Sequence, residues 1–154
     1  MRTPVVYKKG YKYQLSKLYL CDTSIYPPEN IHTPYISLLT NGTMILQPGY
    51  AWDGPSGPTF DTPEAISASL PHDGGYQLIR EGFLDESYRG QFDMLLKLIM
   101  TQDSARYDPP LRQLAEFRAG YFFDGVDVFG ARYLHQQKEE ITIEAYSGSS
   151  DNSL

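Results

Sequence analysis

Apolar and polar residues alternate through the first third of the chain and recur at three- and four-residue intervals through much of the rest. The first pattern predicts strands and the second helices. Between Val5 and Leu20 a loose alternation around Tyr7, Tyr11, Tyr13, Leu15, Leu18 and Leu20 is broken at Lys9-Gly10, which predicts two short strands joined by a turn. Asp22 to Pro34 contains Pro27-Pro28 and little periodicity, and reads as a loop. In PYISLLTNGTMILQPGY, Asn41-Gly42 separates two β-rich runs. Both central residues of a type I′ turn need positive φ, so the pair predicts a hairpin with strands near 35–40 and 43–47.

Gly49 to Glu81, GYAWDGPSGPTFDTPEAISASLPHDGGYQLIRE, is dense in Gly and Pro and holds the chain's only Trp. These residues are selected for the φ angles they permit or enforce, so the stretch predicts a shaped loop feeding a helix that begins near His72-Asp73. Within it, Asp61 or Thr62 offers an N-cap, Pro63 a first-turn residue and Glu64 a charge suited to the positive end of the helix dipole. Pro71 is uncomfortable in a helix interior and predicts either a kink or a new helix start, setting His72 and Asp73 at or near an N-terminus. Gly74-Gly75 would let another backbone or a ligand approach closely, at about 1 kcal/mol per glycine in helix propensity. Gly82 is a stop signal.

Asp85 caps a second helix, about 86–101, with an apolar stripe of Tyr88, Phe92, Leu95, Leu96 and Ile99 and with Asp93 at its edge. Asp108-Pro109-Pro110 opens a third, running to about Phe129 with Leu111, Leu114, Phe117, Tyr121 and Phe122 inward and Gly130 as its stop. Residues 141–146 alternate as a strand, and 147–154 form a polar tail. The expected architecture is a single α+β domain, 1–146, with a small antiparallel sheet from the N-terminal half packed against about three C-terminal helices.

Composition sharpens the picture in three ways. The 13 Tyr and 7 Phe suit either a strand-rich half or a surface whose rings pack at one end and meet a polar partner at the other. A net charge of −6 without a long basic run argues against nucleic-acid binding. The single cysteine, Cys21, excludes an internal disulfide and a multi-cysteine zinc site. No apolar run reaches signal-peptide or membrane-spanning length, so the expectation is a soluble protein made in the cytoplasm, unless it is carried outward inside an assembly.

The candidate chemistry centres on His72, whose charge changes near neutral pH. On a helix His72 and Tyr76 share a face, whereas Asp73 points about 100° away, so Asp93 from the neighbouring helix is the natural carboxylate partner. A carboxylate on one ring nitrogen would leave the other to take a proton from water, the minimum for hydrolysis by an activated water. Developing charge would be held by backbone amides of the Gly54–Gly57 loop or by a divalent cation bound by Asp53, Asp61 and Asp73. Oxygen ligands alone suit calcium or magnesium, and adding His72 suits zinc or another transition metal. The plainer readings are that Asp53 and Asp61 tie turns, that Trp52 packs the loop on the core, and that His72 and Asp93 lock two helices together. Ser56, flanked by Pro55 and followed by Gly57-Pro58, lacks the strand-turn-helix setting of a nucleophile elbow.

The ordered strings GYAWDGPSGPTFDT, SLPHDGGYQLIREG, RGQFDMLLKLIM and YFFDGVDVFGARY resemble an uncharacterised family of small proteins encoded mainly by tailed bacteriophages and prophages. The likeness runs from about Tyr35 to Gly130 and covers a WDGxSGP loop, an HDxxY helix, an Asp-bearing second helix and a V-x-x-FG ending. It points to Trp52, Asp53, Gly54, Ser56, Gly57, Pro58, Asp61, His72, Asp73, Tyr76 and Asp93. The chain departs from that family's pattern at Phe92, where Ala is usual, and at Pro71 and Gly74-Gly75, which replace more helix-friendly residues. The HDxxY helix facing an Asp is also similar to secreted prokaryotic phospholipases, whose cysteines and calcium loop are lacking here. The resemblance implies a virion- or tail-associated phage protein with a His-Asp hydrolase-like site acting on the cell envelope. The alternatives are a non-catalytic structural or adaptor component contacting other phage proteins, and an inhibitor of a host enzyme.

Overall fold

The computed structural model of the chain describes residues 5–8, 12–55, 62–105, 107–134 and 140–143, with side chains between 12 and 124. Seven strands precede the helices: β1 (Val5–Lys8), β2 (Tyr13–Gln14), β3 (Tyr19–Asp22), β4 (Ile31–His32), β5 (Ile36–Leu38), β6 (Thr43–Leu46) and β7 (Ala51–Trp52). The helices are α1 (Pro63–Arg80), α2 (Arg89–Ser104) and α3 (Leu111–Leu134), and β8 (Glu140–Ile143) follows. This is the α+β architecture that the two hydrophobic periods predict.

Strand pairing differs from a simple run of hairpins. β3-β6-β5-β4 form one antiparallel sheet, β2 pairs with β7, and β1 pairs with β8 from the far end of the chain. Lys9-Gly10 therefore does not join two paired strands; those residues lie outside the described ones. A short strand, β4, also falls inside the segment expected to be all loop, because Ile31 and His32 complete the sheet edge against Leu38 and Ser37. The β5–β6 hairpin forms as predicted, but with a different turn. Leu39 N–H bonds to Thr43 C=O, Gly42 alone takes positive φ (85°), and Asn41 stays right-handed because its Oδ1 accepts from Thr43 N–H at 3.0 Å. The result is a three-residue loop closed by a left-handed glycine in place of the I′ turn.

The sheet's inner face is apolar, with Ile31, Ile36, Leu38, Met44 and Leu46 at most 6% exposed, and it meets α1. α1 begins at Pro63 with Thr62 as its N-cap, as the Asp61-Thr62-Pro63-Glu64 start predicts, but it passes unbroken through Pro71, so no separate helix begins near His72-Asp73. A proline inside a helix removes one hydrogen bond and crowds the preceding turn. Burial outweighs that cost: twelve of the eighteen residues of α1 are buried, Pro71 among them. His72 and Asp73 therefore sit mid-helix. The glycine pair behaves as the sequence suggests, since a Cβ on Gly74 would lie 3.4 Å from Leu46 and one on Gly75 would overlap the Phe92 ring of α2. At the C-terminus, Phe83 N–H reaches Leu78 C=O and Gly82 N–H reaches Ile79 C=O around Gly82 at φ 82°, a Schellman stop.

Asp85 caps a 3₁₀ turn, Glu86–Tyr88, that leads into α2. α3 reverses one expectation and extends another. Ala115 and Ala119 are buried, Ala119 in a cluster with Ala65, Ala68, Leu96 and Met100, while Leu111, Leu114, Phe117 and Tyr121 are exposed. Small residues let the helix backbones approach, and a buried tie fixes the rotation: Glu64, fully buried, accepts from Tyr107 Oη at 2.8 Å and from Arg118 Nη2 at 3.1 Å. Burial pushes the Glu64 carboxyl up, but hydrogen bonds from backbone and Tyr107 and the charge of Arg118 outweigh it and hold it below the usual range. The helix also continues through Gly130 to Leu134. The side chain of Phe122 and the tail 147–154 lie outside the described residues.

The two glycines that differ most in surroundings provide a test. Nothing lies within 4 Å of a Cβ at Gly120, so Gly120→Ala should stabilise the protein by up to about 1 kcal/mol. Gly75→Ala should destabilise it by about 1–3 kcal/mol through overpacking against Phe92, despite alanine's better propensity. Urea unfolding of both variants measures the difference in sign.

Candidate functional site

α1 and α2 pack side by side, and the polar residues singled out by the sequence meet in the seam. His72 on α1 is 5% exposed and Asp93 on α2 is 0% exposed, and His72 Nε2 lies 3.0 Å from Asp93 Oδ1. Tyr76, one turn beyond His72, donates its hydroxyl to the same oxygen at 2.6 Å, and its ring leans on the imidazole with centroids 4.3 Å apart. The pairing across the helices is thus the one expected. A fourth member was not: Arg89 Nη1 stands 3.5 Å from Asp93 Oδ2. Its signal was present as an Arg and an Asp four apart on one helix.

Asp73 corrects the angular argument made from the sequence. Its Oδ1 lies 3.3 Å from His72 Nδ1, so the adjacent carboxylate folds back to the ring although the two Cβ directions diverge. Both imidazole nitrogens are consequently engaged by carboxyl oxygens. Burial alone would favour the neutral ring, but hydrogen bonds and charge from Asp73 and Asp93 outweigh it, and the His72 pKa is raised above 6.5. An imidazolium donates to both carboxyl groups at once; a neutral ring donates to only one. Burial and the neighbouring Asp93 carboxylate also push the Tyr76 hydroxyl well above its usual range, keeping it a donor.

This arrangement differs from an active general base in two respects. Neither ring nitrogen faces solvent, so an attacking water would have to displace Asp73, whose side chain is 14% exposed and the most open of the three. A cavity of about 540 Å³ lies two turns further along, between Ile79, Arg80 and the Gly82–Glu86 turn, and His72, Tyr76 and Asp93 do not line it. In the seam the carboxyl groups of Asp73 and Asp93 are already engaged by His72 and Arg89. Among the described residues no group of three or more His, Cys, Asp and Glu is placed to hold a metal ion.

The loop residues have structural tasks where they are described. Trp52 on β7 is 7% exposed, donates from Nε1 to Ser69 Oγ of α1 at 3.1 Å, and stacks on Tyr50 at 6.4 Å. It bolts the loop's first strand to the helix, the packing role read from the sequence. Gly54 needs to be glycine, because its φ is 76° and a Cβ there would come 2.5 Å from the Tyr13 ring. Asp53 is half-buried beside it. Ser56, Gly57, Pro58 and Asp61 lie outside the described residues, so the proposed oxyanion loop and the full Asp53, Asp61 and Asp73 cation set do too. Burial pushes the Cys21 thiol up, away from nucleophilic character.

No family model matches the sequence, and comparison with curated proteins and with solved structures finds no match.

The seam makes a prediction with a definite sign. A His whose native pKa is raised contributes stability that is fully present below its unfolded value of 6.5 and is lost as pH rises through the native value. Unfolding free energy should therefore decline on going from about pH 6 to pH 9, and His72→Gln should flatten that decline. Tyr76→Phe should cost about 1.5–3 kcal/mol, because a donor to a buried carboxylate is removed. Denaturant titrations across the pH series measure both.

Proposed function

We propose that the protein is a non-catalytic structural or adaptor component of a tailed-phage particle, with the His72–Asp93 pair acting as a clamp between two helices. The observation that carries this reading is the double engagement of a buried imidazole: His72 is 3.0 Å from Asp93 and 3.3 Å from Asp73 and 5% exposed. Such a group is suited to fixing register and orientation between packed elements. It is poorly suited to cycling a proton with a substrate. The phage context rests on the likeness of the WDGxSGP, HDxxY and V-x-x-FG strings.

Hydrolysis of envelope material by the same pair is the competing reading, and it requires Asp73 to swing off Nδ1. The two separate in particles carrying His72→Asn. Removing one partner of a buried ionic network costs about 3–5 kcal/mol, so the purified variant should melt lower and particle yield should fall at elevated temperature. Particles that do assemble should keep whatever envelope hydrolysis the parent shows. Normal assembly of a fully stable variant with hydrolysis abolished would overturn the clamp reading.

A further inference from the structure

We propose that the outer face of α3 is a self-association surface on which a second copy of this chain packs antiparallel. Leu111, Leu114, Phe117 and Tyr121 are 59%, 51%, 73% and 56% exposed, and the buried Ala115 and Ala119 lie about 120° round the helix from the centre of that set. At about 100° per residue the four large side chains fall within an arc of roughly 120° along three turns, an arc shared by Arg118, whose guanidinium is drawn to Glu64. They present on the order of 400 Å² of apolar surface on one helix, in the range where patches on soluble proteins mark interaction sites.

Two features select a second copy as the occupant. The stripe is nearly palindromic about its own midpoint: Leu111 and Tyr121 are centred on position 116, and Leu114 and Phe117 half a residue away. An antiparallel partner on a two-fold axis there sets each Leu111 against the other copy's Tyr121 and each Leu114 against its Phe117, the reciprocal pattern that an isologous interface requires. The nearby charges do not oppose it. Arg112 and Glu116, paired at 3.1 Å, sit roughly 160° round the helix from the centre of the stripe, and Arg118, within its arc, is committed to Glu64 at 3.1 Å. Two such stripes bury roughly 800 Å² between them, and the flanking Gln113 and Asp124 bring the contact towards the roughly 1,000 Å² of a specific interface. The inference does not draw on the His72 network and stands or falls separately from the clamp reading.

Sedimentation velocity on the full chain from about 1 to 200 μM tests it. The parent should pass from monomer to dimer across that range, and Phe117→Glu should raise the dissociation constant at least tenfold with unchanged thermal melting. Met94→Glu, which alters a 54%-exposed apolar residue on α2, should leave the dimer intact. In a Cys21→Ser background, Leu111→Cys combined with Tyr121→Cys should give an intermolecular disulfide under oxidised glutathione. The two positions are about 15 Å apart within one helix, too far to bond to each other. A parent that stays monomeric at about 200 μM, or a dimer indifferent to Phe117→Glu or dissociated by Met94→Glu, would overturn the proposal.

Discussion

Asp93 is a carboxylate with no contact to water, and the packing of α1 on α2 depends on keeping it satisfied. Burying such a group without partners costs several kcal/mol, so its surroundings are constrained to supply donors. They come from both helices: His72 and Tyr76 across the seam, Arg89 from its own helix. Any slide of one helix along the other by a turn would strand the carboxylate. An apolar seam of the same size would tolerate several registers; this one tolerates few.

α1 is the member on which the four-stranded sheet, β7, α2 and α3 converge. Its Gly74 side lies on Met44 and Leu46 of the sheet, its Gly75 side admits Phe92 of α2, and its N-terminal Ala65 and Ala68 meet the small-residue face of α3. Trp52 ties β7 to the same helix through Ser69. A helix buried on several sides no longer depends on intrinsic propensity, which is why a sequence with an internal proline and two glycines forms eighteen helical residues.

What could be read from the sequence follows the range of the interactions concerned. The hairpin at Asn41-Gly42, the Gly82 stop, the Asp85 cap and the His72–Asp93 pairing all rest on local chemistry or on two adjacent antiparallel helices, and all were legible. The continuity of α1 through Pro71 was not, because the burial that overrides the proline comes from residues distant in sequence. Nor was the rotation of α3. Its largest apolar residues suggested an inward stripe, but the helix is oriented by two alanines and by Glu64, Tyr107 and Arg118, whose partnership spans 54 residues. Asp73 was misjudged for the opposite reason: helical-wheel angles describe Cβ directions, and a carboxylate on a short arm reaches a neighbouring ring regardless.

The fit of Phe92 over Gly75 has an evolutionary corollary. Two positions that share one volume must change together, and the order of change matters. A lineage moving from this arrangement to alanine at 92 and a larger residue at 75 can pass through a cavity or through an overlap, and neither is free of cost. Only the route that shrinks residue 92 first keeps the α1 backbone where the seam needs it. In related chains, bulk at 75 should therefore appear only where residue 92 is already small, leaving a size-exchange signature at two sites far apart in sequence.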